Sequence, residues 1–150
     1  MKRAAAIALL SLSLVYAAPD PAPAPTPIQF SSAAVDWQDA PPSMPPGTQM
    51  AILEGDPKKE GIFTLRLKLP AGTKIPPHWH PRDERVTIMT GRVLVGFGDT
   101  FDPLKTRTFI AGGFYVNPAN SHHFLWVPVQ SELQLTCVGP WELHAVGDKP

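Results

Sequence analysis

The sequence contains little cysteine and no excess of charge of either sign, and both features narrow the range of possible functions. Cys137 is the only cysteine among 150 residues, which excludes an intramolecular disulfide bond. It alternates with Leu133 and Leu135, which predicts a buried thiol. Thirteen basic residues balance thirteen acidic ones without a long run of either sign. We therefore expect no nucleic-acid partner, because such a partner requires a basic surface.

Long apolar runs are also scarce, and the one that occurs follows Met1-Lys2-Arg3. It is shorter than the roughly 20 residues of a membrane-spanning helix and contains two serines, which disfavours a membrane anchor. A positive start, a short apolar centre and small residues at Val15 and Ala17 are typical of a secretory signal peptide. We predict that residues 1–17 are a signal peptide, that no membrane span remains after its removal, and that the protein is periplasmic or secreted.

Proline is abundant between residues 18 and 47, which we interpret as a spacer followed by an irregular arm. The stretch APDPAPAPTP alternates proline with small residues, a pattern that favours an extended polyproline II conformation. The arm contains a second proline cluster, PPSMPPG, and Trp37, which we expect to pack on the domain that follows.

The remaining residues, 48–150, have the pattern of an all-β domain. Short apolar runs alternate with turn residues, and no segment has the sustained periodicity of an amphipathic helix. In GIFTLRLKL, residues 61–69, apolar side chains occupy alternate positions, as on a half-buried strand. Gly91, between two further runs, is interpreted as a hairpin turn. Together these features predict a single β-sandwich or barrel.

Two of the five histidines occur in the stretch PPHWHPRDE. Because alternate side chains of a strand point to the same side, His78 and His80 can direct their imidazoles to one point, with Trp79 on the other side. Glu84 lies an even number of residues from both histidines and would point to the same side of an extended strand, whereas Asp83 would point to the other side. Imidazoles and a carboxylate suit a first-row transition metal. The alternative is a pair of surface histidines beside two solvated acids.

Two gapped patterns in the chain resemble the motifs of the cupin superfamily. Residues 72–91 have the spacing G-x5-H-x-H-x3-E-x6-G, which resembles the first cupin motif at each defining position. The stretch GGFYVNPANSHHF resembles the second motif, G-x5-P-x-G-x2-H-x3-N, through Gly112, Pro118 and His123. The chain is accordingly similar to small, single-domain secreted cupins.

This resemblance covers about residues 60–140 and implies a cupin β-barrel, a double-stranded β-helix of the jelly-roll type. It implies that His78, His80, Glu84 and His123 are ligands of one divalent transition metal ion. Iron, manganese, zinc, nickel, cobalt and copper all accept these ligands, so the metal is left open. Glu84 is also the candidate catalytic residue, as a proton acceptor when it leaves the metal.

Two positions depart from the second motif. Asn120 stands in place of glycine, and asparagine is the other residue that tolerates a left-handed backbone well. Val127 stands in place of the final asparagine. Neither position supplies a metal ligand in cupins, so the departures concern the shape of a loop and not the metal.

Only one of the adjacent residues His122 and His123 can face a metal inside the barrel, because successive side chains of a strand point to opposite faces. The motif spacing selects His123, and Phe124 and Trp126 then point outward. Two outward aromatic side chains need cover. The arm with Trp37 is one candidate for that cover, and a homodimer, which we predict, is the other.

Three functions are compatible with this site. The first is a metal-dependent enzyme that acts on a small organic molecule, as a dioxygenase, decarboxylase or isomerase. The second is a non-catalytic module that binds a metal or small ligand, and the third is a structural metal site. Three histidines and a carboxylate leave two exchangeable positions in a six-coordinate shell, which permits an enzyme, and the resemblance to cupins implies one of the oxidoreductase or lyase type. Inward apolar residues, among them Val86, Ile88 and Leu125, favour a small, partly apolar ligand.

Overall fold

The structure, a computed structural model, describes residues 26–147. The predicted signal peptide and most of the proline-rich spacer lie outside these residues. Two short 3-10 helices, Ser32–Ala34 and Pro103–Lys105, are the helical elements of the described part, and neither could cross a membrane. The strands are β1 (Gln38–Asp39), β2 (Gln49–Glu54), β3 (Gly61–Leu69), β4 (Lys74–Trp79), β5 (Glu84–Thr90), β6 (Arg92–Phe97), β7 (Thr106–Ile110), β8 (Phe114–Asn117), β9 (His123–Trp126), β10 (Ser131–Gly139) and β11 (His144–Ala145).

These strands form two sheets in which neighbouring strands are antiparallel. The six-stranded sheet has the order β1-β2-β3-β10-β5-β8, and the five-stranded sheet has the order β11-β4-β9-β6-β7. Between β3 and β6 each successive strand changes sheet, and further crossings follow β7, β8, β9 and β10. This alternation of strands between two sheets is the jelly-roll architecture that the sequence predicted, and the all-β fold class is confirmed.

The core lies between the sheets and follows the predicted alternation on β3. Phe63, Leu65, Leu67 and Leu69 are all buried, whereas the side chains between them are more exposed. β10 pairs with β3 over its full length and places Cys137 opposite Phe63, so the predicted burial of this thiol is confirmed. Burying each large aliphatic or aromatic side chain contributes about 1.5–3 kcal/mol. The regular alternation therefore fixes which face of the sheet is the inside of the barrel.

The turn at Gly91 differs from the prediction. β5 and β6 on either side of it belong to different sheets, so the turn is a corner between sheets and the hairpin interpretation is wrong. Gly91 has φ 79°, and a Cβ there would lie 2.5 Å from the carbonyl oxygen of Gln130 and collide with Ser131. A hairpin and a corner both select glycine at a positive φ, so the local sequence does not distinguish them.

The arm that precedes residue 48 is less irregular than predicted. β1 lies within it and pairs with β2, which extends the six-stranded sheet by one short strand. Trp37 packs on the domain as expected, with the Lys68 ammonium 4.0 Å from the centre of its ring. The side chain of Met44 reaches the barrel cavity.

Candidate metal centre

Three of the predicted ligands meet at one point inside the barrel. His78 lies on β4, His80 directly follows that strand, and His123 is the first residue of β9. β4 and β9 are hydrogen-bonded neighbours with His78 opposite His123, and the two ring centres are 4.2 Å apart. The candidate ligand nitrogens of all three side chains lie within 4.8 Å of one another, and all three residues are buried. The pairing of two strands thus assembles the histidine cluster.

Hydrogen bonds to the main chain determine which nitrogen of each ring faces the centre. In each of the three histidines, Nδ1 lies within hydrogen-bonding distance of a carbonyl oxygen. The acceptors are Pro76 at 2.8 Å from His78, Glu142 at 2.6 Å from His80 and Ser121 at 2.9 Å from His123. A carbonyl oxygen can only accept, so Nδ1 carries the proton and donates it. When the ring is neutral, its Nε2 then has a free lone pair, the form in which imidazole binds a metal.

Burial also keeps the imidazoles of His78 and His123 neutral. Desolvation lowers the pKa of His78 to about 4, although the hydrogen bond to the Pro76 carbonyl oxygen acts to raise it. Desolvation likewise lowers the pKa of His123 to about 3, and the neighbouring His78 lowers it further. Both rings are therefore uncharged at neutral pH. A metal ion would not have to displace protons from them.

Glu84, the fourth predicted ligand, lies beside the three histidines. It is the first residue of β5 and is buried, and its Oε1 is 3.6 Å from Nε2 of His80. Two atoms that are each about 2 Å from one ion lie about 3 to 3.5 Å apart at tetrahedral or octahedral angles. The carboxylate accepts two hydrogen bonds, from Asn117 Nδ2 to Oε2 at 2.9 Å and from Trp141 Nε1 to Oε1 at 3.2 Å. The cluster within 4.8 Å comprises the histidines alone, with Glu84 adjacent to it.

The sequence neighbours of Glu84 and His123 face away from the centre. Asp83 accepts a hydrogen bond from the main-chain N–H of Ala119 and pairs with Arg85 at 3.2 Å on the surface. Nδ1 of His122 lies 2.6 Å from the Asp99 carboxylate. The expected inward orientation of Glu84 and of His123 is therefore what the structure shows, while their coordination of a metal stays a prediction.

Asn120 fits the loop for which cupins use glycine. Its φ is 60°, which makes it the non-glycine residue with a positive φ among the described residues. Its main-chain N–H donates to the carbonyl oxygen of His80 at 2.8 Å, and this bond joins the two motif loops. Val127, the second departure from the motif, is fully buried in the core. Both residues thus fit into the barrel that holds the histidine cluster.

Sequence reasoning missed three residues of the site. Asn117 faces Glu84 because the two are register partners on β8 and β5, and its own Oδ1 is buried without a partner in the described structure. Trp141 comes from a segment outside both motifs. Tyr115 lines the cavity, and burial raises the pKa of its hydroxyl, which keeps it neutral. The one signal in the sequence was a polar Asn117 at the end of an apolar strand.

A small cavity extends from the histidines into the barrel. Its volume is about 40 Å³, which is room for a few water-sized groups. Leu143 is the exposed member of its lining, so the cavity approaches solvent beside this residue. The remaining lining is mainly apolar and includes Leu67, Leu69, Ile75, Val86, Val95, Leu125, Leu133 and Leu135. The arrangement can present a metal ion at the polar end of an apolar chamber.

Comparisons with solved structures agree with the fold. The chain is similar to a candidate acetylacetone dioxygenase from Methylibium petroleiphilum PM1, with a TM-score of 0.64 and 24% identity over 81% of this chain and 84% of that one. It is also similar to the polyketide cyclase RemF from Streptomyces resistomycificus, with a TM-score of 0.62 and 15% identity over 79% of this chain and 84% of that one. Identities this low show the fold alone.

Comparisons of the amino-acid sequence with known proteins identify the family. Germin-like protein 3-1 from Oryza sativa subsp. japonica is 41% identical over 68 residues, which are 45% of this chain and 30% of the rice protein. The match thus spans less than a third of that relative. A family model of the ChrR cupin-like domain matches residues 26–142, about three quarters of the chain. With the jelly roll and the histidine cluster described above, this match shows that the chain belongs to the ChrR cupin-like domain family of the cupin superfamily.

Proposed function

We propose that the protein is a metal-dependent enzyme that acts on a small organic molecule as a dioxygenase, decarboxylase or isomerase. The metal ligands are His78, His80, His123 and Glu84. One observation carries the proposal: three Nε2 lone pairs converge beside a buried carboxylate at the polar end of an apolar cavity. The similarity of the fold to a candidate dioxygenase and to a polyketide cyclase supports an enzyme, because the same barrel carries small-molecule chemistry there.

The residues of the chain have distinct parts in this proposal. A divalent transition metal ion bound here supplies a Lewis acid with exchangeable positions for substrate oxygen atoms. The histidines hold it as neutral ligands, and their Nδ1 hydrogen bonds fix the planes of the rings. Glu84 would accept a proton from the substrate when its carboxylate leaves the metal. The apolar lining excludes bulk water and selects a small, partly apolar substrate.

A non-catalytic module that binds a metal or small ligand is the second candidate. The small volume of the cavity favours it, because about 40 Å³ accepts only a few atoms unless the residues around it move. A binding module would retain its ligand without converting it. A purely structural metal site would respond to a chelator only by losing stability.

Metal analysis and a turnover assay distinguish these functions. The protein is loaded in turn with each of the six metals and assayed with small diketones, phenols and dicarboxylates, by oxygen uptake and by product analysis. We expect one metal ion per chain and turnover that depends on one metal. His123→Gln should abolish both, and His122→Gln is the matched control. Saturable binding of these compounds without product would instead support the binding module.

We further propose that the protein is exported and acts as a homodimer. Export depends on the signal peptide predicted at residues 1–17, and an intact mass of secreted protein that retains these residues would contradict it.

For the dimer, the outer face of β9 is the relevant surface. Phe124 on this face is covered by Phe101, with ring centres 5.1 Å apart, and Trp37 contacts Lys68 of the other sheet. Trp126 is thus left half-buried as the candidate contact, and light scattering at micromolar concentration tests the dimer.

A further inference from the structure

A segment outside both motifs closes one side of the candidate metal centre. We call residues 140–145 the C-terminal strap. It follows β10, contacts the centre through Trp141 and Glu142, and ends in β11, which pairs with β4. The strap therefore touches the same strand that carries His78.

Trp141 contacts two of the predicted ligands. Its indole N–H donates to Oε1 of Glu84 at 3.2 Å, and this is the carboxylate oxygen that lies 3.6 Å from Nε2 of His80. Its ring lies nearly parallel to the His80 ring, with an interplanar angle of 16° and 5.9 Å between ring centres. The indole nitrogen can only donate, so the direction of the hydrogen bond is fixed. Trp141 thus restrains the carboxylate oxygen that is nearest to the histidines.

The strap is held by contacts that do not involve a metal. The main-chain N–H of Trp141 donates to the carbonyl oxygen of Pro57 at 2.7 Å, and its ring lies 6.3 Å from the ring of Phe63 in the core. Further along, His144 stacks on Trp79 with 4.2 Å between ring centres and is its register partner in the β11–β4 pair. Because it is anchored at both ends, the strap can act as a fixed frame for the side chains it contacts.

We propose that Trp141 is a positioning residue that holds Oε1 of Glu84 beside the three histidines, and that the strap completes the metal centre. The inference rests on the proposed function, since it assumes that these residues bind a metal. Without the indole N–H, Glu84 retains only the hydrogen bond from Asn117 to its other oxygen. The carboxylate is then free to turn away from His80. Partners that orient metal ligands typically change metal affinity by about 10- to 100-fold.

The test removes the indole N–H and keeps an aromatic ring. Trp141→Phe is compared with Trp37→Phe, the same change at a half-buried tryptophan that contacts Lys68. Zinc affinity is measured by competition with a chelating dye, and thermal unfolding confirms that both variants are folded. We expect Trp141→Phe to weaken zinc binding about tenfold, because an orienting partner is lost, and Trp37→Phe to stay within about twofold.

A second measurement reports the contact itself without a metal. The indole N–H resonance of Trp141 is identified in an NMR spectrum of the ¹⁵N-labelled, metal-free protein by its absence from Trp141→Phe. Glu84→Gln removes the charge on the acceptor and should shift this resonance more than those of Trp37, Trp79 and Trp126. In the wild-type protein, adding zinc should shift it as well.

The results distinguish a failure of the positioning role of Trp141 from a failure of the proposed metal-dependent function. Trp141→Phe with unchanged zinc affinity, or a Trp141 resonance that ignores Glu84→Gln, would overturn the positioning role while leaving the metal site intact. A wild-type protein that binds none of the metals overturns the proposed function. In that case a resonance that still responds to Glu84→Gln supports the contact between Trp141 and Glu84 on its own.

Discussion

The candidate metal centre has two halves that are positioned in different ways. His78 and His123 donate their Nδ1 protons to carbonyl oxygens only two residues back in the chain. His80 instead donates to Glu142, 62 residues away, and Glu84 accepts hydrogen bonds from Asn117 and Trp141, 33 and 57 residues away. We call these the local half and the remote half. The local half forms with its own strands, whereas the remote half requires β8 and the C-terminal strap to be in place.

This difference predicts how each half tolerates change. A ligand oriented by its own strand keeps its tautomer as long as the strand is formed. A ligand oriented by a distant segment loses its orientation when that segment shifts, even if the ligand itself is unchanged. Variants of remote partners should therefore weaken metal binding in small steps, whereas loss of a local ligand should remove it almost entirely.

The largest effect is expected from removing a ligand of the local half. His123→Ala deletes a nitrogen donor, so it should weaken metal binding by more than the roughly 100-fold that loss of an orienting partner can cause. His122→Ala is the control, since that ring faces Asp99 and not the cluster. Metal content after dialysis measures both variants. If His122→Ala proves to be the metal-free variant, the inward register assigned to this strand is wrong by one residue.

The second effect concerns the acid stability of the metal-free protein. The pKa of His78 is lowered to about 4 and that of His123 to about 3, from an ordinary value near 6.5. Between pH 6.5 and these values the unfolded chain binds protons that the folded chain does not. The stability that the two neutral imidazoles contribute is therefore fully present above pH 6.5 and is lost as the pH falls toward their folded pKa values. At pH 5 the expected loss is about 2 kcal/mol for each histidine.

Urea unfolding at pH 7.5 and pH 5 measures this loss. His123→Gln removes one of the two imidazoles whose pKa is lowered and should make the stability depend less steeply on pH. His122→Gln should leave the slope as it is in the wild-type protein. A wild-type protein with equal unfolding free energies at the two pH values would show that these imidazoles are not held neutral by burial.

A smaller effect is expected from the carboxylate of the remote half. Glu84→Gln keeps the size of the side chain and removes its charge, so metal affinity should fall by about 10- to 100-fold. Asp83→Asn makes the same chemical change on the surface and should have little effect, because Asp83 pairs with Arg85. Zinc competition measures both. The reverse order of effects would assign the carboxylate ligand to Asp83.

The smallest effect is expected at Asn117. Asn117→Ala removes the hydrogen bond to Oε2 of Glu84 but leaves the one from Trp141 to Oε1, the oxygen nearer the histidines. We expect a loss of metal affinity of about tenfold or less. The cost in folding stability should also be modest, because the variant removes the buried Oδ1 that has no partner. A larger loss than for Glu84→Gln would show that Asn117 itself contacts the metal or the ligand.

Local sequence predicted the β-strands and the histidine cluster well, for a physical reason. Alternation decides which side chains of a strand point inward, so the burial of Phe63, Leu65 and Cys137 followed from parity alone. The same rule, with the motif spacing, placed His78 and His123 on the inside. The prediction of a hairpin at Gly91 was wrong because a positive φ is needed equally for a hairpin and for a corner between sheets.

The sequence by itself determined the fold class, the inward faces of the strands and the ring orientations of His78 and His123, because each depends on contacts between near neighbours or on a two-residue period. Only the tertiary structure decided the remote half. Trp141 contacts Glu84 because β10 returns the chain to the candidate metal centre. Asn117 contacts Glu84 because β8 pairs with β5 in one particular register. Contacts between residues so far apart in the chain leave no periodic pattern in the sequence, so they become visible only when the sheets are assembled.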